Sequence, residues 1–333
     1  CALPICPSAI ADRPSPQALP FLPRFADMGM ETLLALSGVF VVALLGLWSA
    51  WRAKRRARLA AAGQEALNEV DHEELERRFD DLASPAILFE LGEVGEETMA
   101  LGRTRFGGRP DLPKELEWPR SPAGIHMSFL AQFDLAKMHE ALPNSPLPPT
   151  GTLLFFAQCD DDLMFNADGS VDAAVLHVPA GTALVRTDFQ KDIARGHRFT
   201  ACMVTGSIVQ TYPEPGHPAM ALRLSAEEMD DPPIDFWSDM NEGSHLLGHA
   251  DKLQEFLELE AESAHRTIKG VSEALSVADE ARAFNEWRLL FQLADEKGAE
   301  MEWGDGGYLY FMIRANDLRD QRFDRVVCLL QTS

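Results

Sequence analysis

An α+β fold, mostly antiparallel sheets, is what this sequence predicts, and three observations predict it. From Ala86 onward, apolar residues come in short runs broken by Gly, Pro, Asn and Asp. Only one long stretch, Asp251 to Trp287, has helical spacing. Strands do not alternate regularly with helices, as a parallel sheet with crossover helices requires.

The apolar runs at Ala86–Leu91, Ser128–Leu135, Thr152–Gln158, Ala173–Val178, Gly206–Tyr212, Trp287–Leu293, Tyr308–Arg314 and Val326–Gln331 read as strands, being short, rich in β-branched and aromatic residues, and bounded by turn formers. Proline-rich connections are expected at Leu142–Gly151 and Asp230–Pro233. Within the helical stretch, Leu253, Phe256, Leu257, Ile268, Val271, Leu275 and Phe284 supply the apolar positions, and Gly270 divides it into two helices.

The amino-terminal region is of another kind. Residues 1–27 hold six prolines and no periodicity, and read as a disordered external tail or an extension upstream of a start at Met28 or Met30. Thr32–Trp51 is 20 residues without a charge. At about 1.5 Å per residue, that length matches a bilayer's hydrocarbon core and predicts a transmembrane helix. Arg52, Lys54, Arg55, Arg56 and Arg58 follow at once, which predicts a cytoplasmic carboxyl-terminal side and contact with anionic lipid. Residues 52–84 then read as a basic collar and helical spacer, and residues 85–333 as the folded domain. The expected location is the inner membrane, single-pass, with the amino terminus outside and the domain in the cytoplasm.

The formal charge is −22, and −27 once the five collar cations are set aside (−22 − 5). Such a surface argues against nucleic acid, whose binding depends on Lys and Arg neutralising phosphates. Five cysteines without CxxC spacing make neither a disulfide framework nor a zinc site, so buried free thiols are expected. No cofactor is implied.

An internal repeat runs through the domain. Ser128-Phe-Leu-Ala-Gln-Phe-Asp-Leu resembles Arg288-Leu-Leu-Phe-Gln-Leu-Ala-Asp, aligning Gln132 with Gln292. Each is preceded by a glycine turn (Phe106-Gly-Gly-Arg-Pro-Asp; Leu247-Gly-His-Ala-Asp) and followed by Gly and an apolar strand, at Gly151 and Gly307. Two related half-repeats would leave a groove between them as the natural ligand site.

Several blocks carry a family resemblance: Phe106-Gly-Gly-Arg-Pro-Asp-Leu-Pro, Glu117-Trp-Pro, Ser128-Phe-Leu-Ala-Gln-Phe-Asp-Leu, His245-Leu-Leu-Gly-His, Trp287-Arg-Leu-Leu-Phe-Gln and Met301-Glu-Trp-Gly-Asp-Gly-Gly-Tyr-Leu-Tyr-Phe. From Ala86 to Gln331 the chain resembles the bacterial YwqG-like family, a domain of unknown function. That resemblance implies a fold and no activity. The acidic helical segment at 249–286 is longer than the resemblance implies.

Candidate chemistry is sparse. Gly107-Gly108-Arg109-Pro110 could bind an anion, but no helix or P-loop pattern follows, and a stiffened turn is the simpler reading. His245 and His249 have metal spacing only on one helix face, which Gly248 opposes; no metal site is expected. Counting Gly169 as the sixth position of a calcium loop puts Met164 and Val175 at its ends, which excludes an EF-hand. The leading expectation is a protein- or peptide-binding module, with Trp118, Gln132, Gln292, Trp303 and Arg109 as binding residues. A hydrolase or lyase using His245 with Glu302 or Asp305 is the rival, and an acidic, toxin-neutralising protein the third reading.

Overall fold

The structure is a computed structural model that describes residues 80–159, 168–214, 216–223, 241–271 and 273–333, with Lys54, Arg78, Asn166 and Ser225 besides. The expected transmembrane segment Thr32–Trp51 and all of the collar and spacer before residue 80 except Lys54 and Arg78 lie outside the described residues. Among the described residues no helix is long and apolar enough to cross a membrane.

The domain is mostly antiparallel sheet. Strands β1 (Ser84–Val94), β2 (Arg105–Phe106), β4 (Ser128–Asp134), β5 (Thr152–Ala157), β6 (Ser170–Val171), β7 (Ala173–Val178), β9 (Cys202–Thr211), β10 (His245–Leu246), β11 (Trp287–Ala294), β12 (Tyr308–Arg314) and β13 (Val327–Gln331) form one 11-stranded sheet in the order β6-β13-β12-β11-β10-β1-β9-β2-β4-β5-β7. β3 (Asp111–Pro113) and β8 (Leu184–Arg186) make a separate ribbon. Only Asp172 separates β6 from β7; β6 pairs with β13 and β7 with β5, so the sheet curls into a nearly closed barrel. Curling removes exposed edges and gives every strand an inner and an outer face.

Residue alternation sorts the core accordingly. Leu153 and Phe155 of β5 and Leu309, Phe311 and Ile313 of β12 belong to the inner cluster. Leu154 and Phe156 face an outer layer with Trp118 and Phe129, while Tyr310 and Met312 face another with Trp287, Leu257 and Ala261. Both faces are therefore covered, which is why these strands read as continuous apolar runs.

The repeat is explicit in the pairing. β2-β4-β5-β7 on one side of the β1–β9 pair match β10-β11-β12-β13 on the other. Arg105 pairs with Gln132 where His245 pairs with Gln292. The β4–β5 ladder slips between Phe129 and Ala131, and the β11–β12 ladder slips between Leu289 and Phe291. The turn after each short strand uses two successive positive-φ residues, Gly107 and Gly108 in one half and Leu247 and Gly248 in the other. A Cβ at Gly107 would collide with the Thr200 carbonyl, so no other residue fits.

Among the described residues the expected groove between halves does not open at this seam, because β1 and β9 bridge it and aromatic rings fill the interior. Phe155 meets Phe291 at 4.9 Å and Phe311 at 5.0 Å, and Phe133 meets Phe291 at 5.1 Å. The helical stretch does divide at Gly270, but as α3 (Leu257–Ile268) and α4 (Val277–Glu286), starting later than Asp251. Three short helices lie outside the expected helical stretch: α1 (Leu135–Ala141), capped by the Asp134 carboxylate, α2 (Pro218–Ala221), capped by the His217 ring, and α5 (Ala315–Arg319).

Candidate functional site

The two half-repeats treat one aspartate position differently. In the first half Asp111 is fully buried. Its carboxylate accepts hydrogen bonds from Arg105 Nη1 (2.8 Å), Arg186 Nε (3.0 Å), Gln132 Nε2 (2.8 Å) and the Gly102 amide (2.9 Å). Burial alone would raise this carboxyl, but the two guanidinium groups outweigh it and hold it down at about 2. Arg105 is likewise buried, which pushes its pKa down against the pull of Asp111. The network is buried except at the edge of Arg186 and reads as structure, because a buried charge persists only when paired.

In the second half the backbone is copied and the charges are not. Gln292 accepts from the Asp251 amide (2.8 Å) as Gln132 does from the Asp111 amide (3.1 Å), and Gln292 Nε2 donates to the Gly243 carbonyl (2.8 Å) as Gln132 Nε2 does to the Arg103 carbonyl (2.9 Å). Yet His245 replaces Arg105, and no Lys or Arg pairs with Asp251 among the described residues. Tyr310 Oη donates to the Asp251 carbonyl at 2.5 Å.

The outer layer differs too. Residues 112–127 cover the first half; α3 and α4, within residues 252–286, cover the second. Glu262 of α3 anchors them, accepting from Trp287 Nε1 (3.0 Å), Arg314 Nη2 (2.5 Å) and Arg282 Nη2 (3.1 Å). Between these helices, α2 and the Gly248 turn lies a cavity of about 630 Å³.

Its wall joins apolar and polar groups: Phe256, Phe284 and Trp287 with Glu214, His217, His249, Glu258, Glu280 and Asn285. Leu222 and Val277, 83% and 82% exposed, also line it. His217 packs among these rings, with centroids 4.9 Å from Phe284, 6.0 Å from Phe256 and 6.4 Å from His249. The Ala219 amide donates to His217 Nδ1 (3.1 Å), so in the neutral ring the proton sits on Nε2, which lies 3.7 Å from Glu258 Oε1. Burial, with help from His217, pushes His249 down to about 4, so it is neutral at pH 7. Burial pushes Glu214 up, with Asp251 adding to the shift.

The residues expected from sequence lie elsewhere. Trp118 is buried in the first outer layer with Nε1 donating to the Met127 carbonyl (2.7 Å), and Trp303 is buried with Nε1 donating to the Ala294 carbonyl (2.9 Å). Gln132 and Gln292 are fully buried and hold turns. Arg109 is partly exposed and tied to Glu96 Oε2 (2.6 Å) and Asp188 Oδ1 (2.9 Å). These five side chains are framework residues rather than one lining. His245 is also fully buried, its Nδ1–H donating to the Leu247 carbonyl (2.9 Å), and burial pushes it down to about 4. Glu302 and Asp305 are exposed, and among the described residues no hydrogen bond or ion pair joins either to His245. A base without surface cannot reach a substrate where those carboxylates lie. Among the described residues no cluster of His, Cys, Asp and Glu could hold a metal ion.

The model of one protein family spans residues 104–332, from the start of β2 to the end of β13, and so takes in both halves and the cavity's helices. The chain belongs to the family described as domain of unknown function DUF1963. No curated protein matches the chain. β1, the strand that bridges the two halves, precedes the matched part of the DUF1963 domain.

Proposed function

We propose that this DUF1963 protein is a ligand-binding module of YwqG-like type, tethered to the cytoplasmic face of the inner membrane, whose site is the cavity beside His217 and His249. The observation that carries the reading is the cavity of about 630 Å³, a volume within the range of small-ligand sites. Its aromatic walls offer apolar burial, while the fixed His217 tautomer and the Glu258 carboxylate offer orientation. The exposed Leu222 and Val277 at its wall are the kind of apolar surface a partner covers. The uncharged Thr32–Trp51 stretch and the basic residues after it support the tether.

The test uses 2-phenylethanol as a neutral shape probe on the full-length chain in lipid nanodiscs, with saturation-transfer NMR against an empty-nanodisc blank. Ala281 lines the cavity from an exposed position on α4, so Ala281→Trp fills the space without disturbing the core. Binding to the parent and loss in Ala281→Trp are expected. Equal signals from both proteins would place the probe outside the cavity and defeat the reading.

A further inference from the structure

We propose that the group recognised in this cavity is an alkylammonium carried on an apolar body. The inference rests on the cavity being the ligand site.

Charge at the wall points that way. Glu214, Glu258 and Glu280 line the cavity, against Lys252 and Arg288. Arg288 is already consumed: Nη1 donates to the Phe284 and Trp287 carbonyls (3.4 and 2.6 Å) and Nη2 to the Asn285 carbonyl (2.9 Å). It thereby marks the carboxyl end of α4 as a place where a cation is held, the negative end of the helix dipole. Lys252 is engaged with the Gln254 carbonyl at 3.1 Å. The carboxylates are less committed. Glu214 makes no ion pair among the described residues; its carboxylate accepts from the Lys252 amide and meets Asn241 Nδ2 at 3.5 Å. Glu258 pairs, among the described residues, with the His217 ring alone, 3.7 Å away.

The rings agree with the charges. Lys252 Nζ lies 4.8 Å from the centroid of Phe256, so one ammonium already rests on an aromatic face of this cavity. Phe284 packs edge-on against Phe256 at 5.3 Å, which leaves ring faces at right angles, an arrangement that can flank a second cation. His249, neutral at pH 7, does not repel one. The overall charge of −22 would draw cations toward the surface before they reach the site.

The ammonium could belong to a free amine or to a lysine side chain of a partner protein. Calorimetric titration of the full-length chain in nanodiscs separates class from source. Phenethylammonium is expected to bind at least about tenfold tighter than its neutral isostere 2-phenylethanol, and tighter than 3-phenylpropionate. Glu258→Gln and Glu214→Gln should each weaken phenethylammonium about fivefold or more and leave 2-phenylethanol unchanged, a split that a folding defect cannot produce. An N-acetylated, amidated Gly-Lys-Gly peptide that binds more tightly than phenethylammonium assigns the group to a protein; weaker binding assigns it to a free amine. Equal affinity for ammonium and alcohol, or preference for the carboxylate, overturns the class while the cavity stands. If none of the three probes binds, the cavity itself is no ligand site and both readings fail.

Discussion

The two halves of this barrel start from the same backbone and end with different uses for it. In the first, a buried aspartate is locked by two arginines and covered by a short segment. In the second, the equivalent Asp251 has no cationic partner among the described residues, and two helices standing on the barrel leave a cavity beside it. The repeat supplies the frame, and the helices over the second half supply the space. The lesson is that the halves differ in one pairing inside the repeat and, more widely, in what covers it.

The largest way to test that contrast is to remove the charge from each aspartate. Asp111→Asn strands Arg105 and Arg186 without a counter-ion, and breaking a buried pair costs about 3–5 kcal/mol. Asp251→Asn, which strands no cation, should cost less than about 1 kcal/mol. Urea unfolding of both variants measures the difference, and equal losses would erase the distinction between halves.

Acid unfolding sharpens the same contrast by separating the halves in pH. His245 and His249, both in the second half, have folded values of about 4, below the ordinary 6.5. A depressed histidine stays neutral while the unfolded chain takes a proton, so its contribution is present above 6.5 and is lost as pH falls toward 4. Each can contribute up to about 3 kcal/mol across that window. Asp111, in the first half, is held at about 2 against an ordinary 3.8. Its contribution is present above 3.8 and is lost as pH falls toward 2. Stability measured against pH should therefore decline in two stages, and His249→Gln should flatten only the upper one.

Smaller effects follow. Glu262→Gln weakens the anchor of the helical layer, and because Arg314 and Arg282 are 23% and 44% exposed the loss should be about 2 kcal/mol. Hydrogen exchange should then speed up in α3 and α4 while β4 and β5 are unchanged. Arg109→Ala removes a partly exposed pair from the first half and should cost under about 1 kcal/mol, with no change in 2-phenylethanol binding.

Much of the frame was legible in the sequence. Tyr308–Arg314 and Ala173–Val178 are strands to the residue, because their aromatic and β-branched runs end at turn formers. Aligning Gln132 with Gln292 located two side chains that make the same bonds. Arg105–Phe106 and His245–Leu246 carry no strand signal in sequence because two residues are too few to show a period. Trp118, Trp303 and the two glutamines are conspicuous in sequence, yet a sheet covered on both faces buries its conspicuous residues. The cavity was not legible at all. Its wall gathers residues from Ser84 to Met312, and His217, an isolated histidine between Gly216 and Pro218, gave no signal of its own. In sequence, His249 stands out only by its spacing from His245, whereas one faces the cavity and the other the core.

The most direct test of the proposed site is calorimetric titration of phenethylammonium into the full-length chain and into Ala281→Trp, with thermal unfolding of both recorded alongside. Saturable binding to the parent, absent from an Ala281→Trp protein that unfolds at the same temperature, is the expected result. Unchanged binding in the plugged protein would contradict the account, because the ligand would then be held somewhere other than the helix-covered half.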